Sequence, residues 1–234
     1  MYGSGVGVEE HIDEFYEEGG KWDDRYGVLF LLILASMLLT AANTDWLKVV
    51  AVVALGGTVL FAFLAARAGR RAWRLAVVLV PVAVVVGVAA RLGAGRGAEL
   101  TGAIVSIVLP VAAIVVLARR ILVEQTVSGR TIAGLLSVYL LIGMTFSALY
   151  ASIAIASGEP FFAQTKTAQP VDFTYFSYIT IATVGYGDLT PANPLPRMLA
   201  AIEGLTGQLY LVTVVAVAVS RVRTRRDRTK EDQG

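Results

Sequence analysis

Residues 183–188 read Thr183-Val184-Gly185-Tyr186-Gly187-Asp188, and a long apolar stretch stands on either side of them. Glycine alternates with larger residues, so the backbone can take left-handed dihedrals at Gly185 and Gly187 at little steric cost. Such a segment suits neither a continuous helix nor a flat strand. Next to lipid-facing helices, irregular backbone is tolerated only where protein buries it or where it lines a polar path. The hexapeptide therefore reads as a loop wrapped around something polar.

Working outward, the chain of 234 residues is 56% hydrophobic and 16% charged. That balance is unusual for a water-soluble domain and points to a membrane protein. There is no cysteine, which excludes disulfides and thiolate chemistry. The first 25 residues carry Glu9, Glu10, Asp13, Glu14, Glu17, Glu18, Asp23 and Asp24. A secretory signal begins basic and turns apolar, so this segment reads instead as an acidic polar tail. His11 is the only histidine, and no set of ligands for a metal is visible.

A bilayer-crossing helix needs about 20 mostly apolar residues. Six segments are the expected spans: Val28–Ala42, which is short and is expected to extend back to Tyr26, Leu47–Ala66, Ala72–Ala90, Leu100–Ala118, Thr131–Ser157 and Met198–Ser220. Between the last two, Phe173–Val184 is apolar but too short to cross, as expected of a re-entrant helix followed by a returning loop. The expected fold is thus an all-α membrane protein with six transmembrane helices, a re-entrant pore helix and a filter loop, arranged as a tetrameric pore. The expected division is an acidic segment 1–25, a four-helix membrane unit 26–118, a linker 119–130, a pore domain 131–220 and a basic tail 221–234.

Basic residues set the expected orientation. Lys21, Arg25, Arg67, Arg70, Arg71, Arg74, Arg119, Arg120, Arg130, Arg221, Arg223, Arg225, Arg226, Arg228 and Lys230 fall on one side, and Lys48, Arg91, Arg96, Lys166 and Arg197 on the other. The positive-inside rule puts the richer set in the cytoplasm of a multi-pass protein of the cell membrane. Six spans then leave both termini cytoplasmic and the Asp188 end of the loop outside. The basic run Arg221–Lys230 directly follows an apolar helix, so it reads as a topology signal that meets anionic lipid rather than nucleic acid.

The loop can be read residue by residue. Asp172 stands where it can cap the short helix, whose C-terminal end would favour a cation. Ringed by four copies, the carbonyls of Thr183, Val184, Gly185 and Tyr186 and the Thr183 hydroxyl can replace the hydration shell of a potassium ion. The choice of potassium comes from known filters of this sequence and not from spacing. Val184 and Tyr186 are expected to turn away from the ion and wedge the loop. Gly187 closes it, and Asp188 is expected to hold its outer end by hydrogen bonding to Tyr175, with Thr180 as further support.

In the last apolar segment, Glu203 is a buried acid that needs a partner, which makes it a functional-site residue by default. It can brace the loop or bind an ion. Gly207, with Gly204, is either a bend point or a packing contact. Thr213, Val214, Val217 and Ser220 are expected to line an inner vestibule, where small apolar side chains gate by dewetting. The fourth segment, Leu100–Ala118, contains no Lys or Arg, so weak or absent voltage dependence is expected.

From Asp172 to Ser220 the chain resembles the potassium channel family, in particular its prokaryotic pore module. The residues that carry the likeness are FTYFSYITIATVGYGDLTP at 173–191 and EGLTGQLY at 203–210. The resemblance implies that Thr183, Val184, Gly185, Tyr186 and Gly187 form a selectivity filter holding potassium ions. It further implies a homotetramer, with Gly207 at the hinge glycine. Ala182 and Ile179 depart from the family pattern, where many members have a second threonine and some bacterial ones an acid. No other cofactor and no enzymatic activity are implied. A weakly selective potassium/sodium leak and a non-conducting membrane subunit are the alternatives.

Overall fold

The structure is a computed structural model that describes residues 25–41, 45–66, 69–91, 96–123 and 129–231. Seven helices account for nearly all of these residues: α1 (Arg25–Thr40), α2 (Asp45–Ala65), α3 (Arg70–Arg91), α4 (Arg96–Val123), α5 (Gly129–Ser157), α6 (Pro170–Ile181) and α7 (Pro194–Glu231). The acidic segment before Arg25, His11 and the Glu124–Gln125 stretch lie outside the described residues.

Each apolar segment is helical despite its valine and isoleucine content. A helix satisfies its backbone polar groups internally, and in an apolar setting this requirement outweighs β-propensity. The expectation of six transmembrane helices plus a re-entrant helix is nevertheless overturned. Among the described residues, three helices are long and apolar enough to cross a membrane: Arg70–Ala89, Thr101–Ile121 and Thr131–Ser157. α1 has 16 residues, a length of about 24 Å at 1.5 Å per residue, short of a hydrocarbon core of about 30 Å. The apolar part of α2 runs only from Val49 to Ala65, because Asp45 and Lys48 occupy its first turn. α7 is long but carries Glu203, Gln208 and a basic end. With three such helices, the even-number argument that put both termini on one side no longer holds.

α1 to α4 pack in chain order, each against the next or near it, and α5 lies against both α1 and α4. Their shared core is built around Leu29, Ile33, Val59, Ala113, Leu117 and Leu141, all fully buried. Small residues permit close approach. A methyl group on Gly56 would stand 2.3 Å from Val84 Cγ2, so α2 and α3 touch at that point. The last three helices form the second part of the architecture, with α6 packed against α5 and α7.

Candidate functional site

The loop 182–188 hangs from the C-terminal end of α6, so the placement of α6 decides the placement of the loop. The first turn of α6 begins at Pro170, suited to a position whose N–H has no helical partner. Asp172 stands inside that turn, and the Gln169 amide donates to its Oδ2 at 2.7 Å. The N-terminal part of α6 is seated in aromatic packing. Tyr150, Phe161, Phe162, Phe173 and Phe176 are all buried, with ring centroids of Phe161 and Phe173 5.3 Å apart and edge-on. Ala163 N donates to Thr190 O at 2.9 Å and Ala192 N to Phe161 O at 2.8 Å, which ties the segment before α6 to the segment after the loop.

The C-terminal part of α6 and its neighbours are fastened by side chains that end on backbone oxygens. Tyr178 donates to Leu140 O at 2.7 Å. Tyr139 donates to Ile181 O at 3.0 Å, serving one of the carbonyls that the end of a helix leaves without a partner. Tyr210 of α7 donates to Leu135 O at 2.6 Å. Two glycines bring the backbones together. A methyl group on Gly143 would stand 2.7 Å from the Tyr178 ring, and one on Gly207 would stand 2.3 Å from Ile181 O.

Glu203 is fully buried between α5, α6 and α7. Tyr150 donates to its Oε2 at 2.6 Å. Ser177 Oγ lies in very short contact with its Oε1 and also 2.7 Å from Gly143 O. A serine hydroxyl has one proton and cannot donate to both acceptors. The set closes when Glu203 carries a proton and donates to Ser177, which then donates to Gly143 O. A neutral carboxyl is also the form that costs least to bury. Sequence reading marked Glu203, but its partners lie 53 and 26 residues away and could not be named.

The loop has left-handed φ at alternate positions: Thr183 at 55°, Gly185 at 53° and Gly187 at 78°. Thr183 is the only non-glycine residue with positive φ among the described residues. Glycine takes such a φ freely, whereas for threonine it is uncommon. The amides of Val184 and Gly185 donate back to Ile179 O at 2.8 and 3.2 Å, and the amide of Thr183 to Thr180 O at 2.9 Å. The N-terminal end of the loop is therefore pinned to the last turn of α6. At the other end, Tyr175 donates to Asp188 Oδ2 at 2.7 Å. That bond, helped by desolvation, holds the Tyr175 phenol above its ordinary pKa. Within one chain, Val184 and Tyr186 are 50% and 72% exposed and find no surface to wedge against.

Gln208 had no assigned role from sequence, yet its Nε2 donates to Thr183 Oγ1 at 3.0 Å. A polar side chain within an apolar helix was the available signal. Gly204 has ordinary clearance, 3.7 Å from its would-be methyl to Thr180 O. Thr213 is exposed and Val214 half-buried. The side chains of Val217 and Ser220 lie outside the described residues. No group of His, Cys, Asp and Glu among the described residues could hold a metal ion.

Comparison with known proteins points the same way for this part of the chain. Residues 134–224, from α5 through the loop into α7, match the ion channel family described as "Ion channel". The match is to channels, not to enzymes. A two pore potassium channel of Oryza sativa subsp. japonica is 36% identical over 105 residues, 45% of this chain and 27% of the relative. An inward rectifier potassium channel, Kirbac3.1, of Paramagnetospirillum magnetotacticum is 36% identical over 78 residues, 32% of this chain and 25% of the relative. A two-pore potassium channel of Arabidopsis thaliana is 38% identical over 61 residues, 26% of this chain and 22% of the relative. The chain thus spans about a quarter of the length of these curated relatives. No solved structure matches.

Proposed function

We propose that the chain is one subunit of a potassium-selective channel, with four copies meeting at the loop 183–187. The observation that carries this reading is the alternation of left-handed φ at Thr183, Gly185 and Gly187. It is the backbone form needed to face a column of peptide oxygens toward one axis. The oxygens then compensate the cation for its lost water, and repulsion between ions in neighbouring rings keeps transit fast. Exposed apolar side chains support self-assembly. Met198, Ile202, Leu205, Leu209 and Val212 recur at helical spacing along one face of α7. Tyr175, Thr180, Asp188 and Glu203 act as braces of the loop in this reading, and Gly204 and Gly207 lie where α7 passes it.

Opening depends weakly or not at all on voltage, because the apolar stretch of α4 from Thr101 to Ala118 has no charge for the field to move. The basic ends Arg70–Arg74, Arg119–Arg120 and Arg221–Lys230 meet anionic lipid. The test is ion flux from protein reconstituted into liposomes, with potassium and sodium gradients in turn. Potassium flux blocked by barium and abolished by Gly185→Ala is expected. Equal sodium flux would replace the reading with an unselective leak, and no flux would replace it with a non-conducting subunit.

A further inference from the structure

We propose that Gln208 is a positioning residue for the innermost cation ring of the loop, acting through the hydroxyl of Thr183. The inference rests on the channel reading above and adds a determinant that lies outside the loop itself.

Thr183 offers the deepest side-chain oxygen of the loop. A threonine hydroxyl has one proton and two lone pairs, and its direction depends on χ1. Gln208 Nε2 donates to Oγ1 at 3.0 Å, which occupies one lone pair and leaves the other for a cation. The bond also selects one rotamer of a β-branched residue that already sits at a φ of 55°, uncommon for its type. The donor is a neutral amide, so it orients the oxygen without placing a positive charge near the ion path. A lysine in its place would repel the ion, and an ionised glutamate has no proton to give.

The reach of Gln208 follows from its neighbour. Gly207 has no side chain, and its Cα region lies against Ile181 O, so the α7 backbone passes directly under the end of α6. One turn earlier on α7, Glu203 meets Ser177. The same stretch of α7 thus meets α6 at Ser177 and Ile181 and the loop at Thr183, and only the last contact falls on a proposed ion ligand.

The experiment compares the wild type, Gln208→Met, Thr183→Val and the double variant in planar bilayers with symmetric potassium, using block by barium, a divalent ion of nearly the radius of potassium. Gln208→Met keeps the length of the side chain and removes the donor. Barium applied from the side of the α7 C-terminal end meets the Thr183 ring first. Its blocking concentration should rise about fivefold in Gln208→Met, the ratio that one neutral hydrogen bond of ordinary strength carries. Block from the Asp188 side should change by less than about twofold, because Gln208 touches only the inner ring. In the Thr183→Val background, Gln208→Met should add nothing. If Thr183→Val passes no current, barium binding to the purified proteins by calorimetry supplies the same four-way comparison.

Unchanged block from both sides in Gln208→Met overturns the inference while leaving the channel reading intact. An equal effect of Gln208→Met with and without the Thr183 hydroxyl overturns it too, as does an equal change from both sides, since either outcome marks a general packing loss. A wild type that conducts no potassium and binds no barium overturns the channel reading itself.

Discussion

Gly207→Ala separates packing from flexibility in α7. An added methyl would stand 2.3 Å from Ile181 O and 2.6 Å from Ile181 Cγ1. The carbonyl is backbone at the end of α6 and cannot rotate away. Restoring ordinary contact at about 3.4 Å requires α6 and α7 to separate by about 1 Å. Overpacking of this kind costs about 3 kcal/mol at the upper end of its usual range. Exchanging glycine for alanine inside a helix returns about 1 kcal/mol. The net loss is therefore about 2 kcal/mol, or a fall in Tm of about 4–8 °C for a chain of this size. Gly204→Ala is the internal control. Its methyl would meet Thr180 O at 3.7 Å, an ordinary contact, so only the propensity gain remains. That variant should melt at or up to about 4 °C above the wild type. Thermal unfolding in detergent, followed by circular dichroism, reads both. If Gly207→Ala melts with the wild type, the helices do not approach as described and Gly207 is not a packing position. A hinge without contact predicts that both alanine variants gain stability together.

Glu203→Gln should keep Tm within about 3 °C of the wild type, because glutamine can donate to Ser177 and accept from Tyr150 as a protonated carboxyl does. Glu203→Leu should lower Tm by about 4 °C or more, since it leaves the buried Tyr150 hydroxyl without an acceptor while Ser177 keeps Gly143 O. Tyr175→Phe and Asp188→Ala each remove the 2.7 Å bond at the Asp188 end of the loop, the first its donor and the second its acceptor. In reversal-potential measurements each should reduce the preference for potassium over sodium, and the double variant should be no worse than either single one. Leu205→Lys and Leu209→Lys on the exposed face of α7 should shift the purified protein from oligomer to monomer in light scattering, with helix content retained in circular dichroism.

Much of the architecture was legible, for reasons that differ between its parts. The helices sit where the apolar runs sit, because burying backbone in an apolar setting leaves little choice but a helix. The number able to cross a membrane, three among the described residues, is smaller than the count of apolar runs. Apolar runs in the sequence overstate the uninterrupted apolar length of a helix: Asp45 and Lys48 fall inside the first turn of α2, and α1 closes at Thr40. The loop stood out because glycine at 185 and 187 has a direct dihedral meaning. That Thr183 shares their left-handed form is not readable from sequence, since threonine disfavours it and the bonds that hold it there come from elsewhere in the chain. The partners of Glu203, and the reach of Gln208 to Thr183, depend on how three helices cross, and no local pattern encodes that.

The tyrosine fastenings around α6 carry one more implication. Tyr178, Tyr139 and Tyr210 reach across helices, and every one of them terminates on main-chain oxygen at Leu140, Ile181 or Leu135. Any amino acid at those three sites presents the same oxygen. The clasp therefore has one editable end and one that mutation cannot erase. Positions 135, 140 and 181 are free to drift within the limits of shape, while loss of a single phenol undoes the corresponding link. In a library of random variants, tolerance should be lopsided across each of these pairs, with the donors held and the acceptors loose.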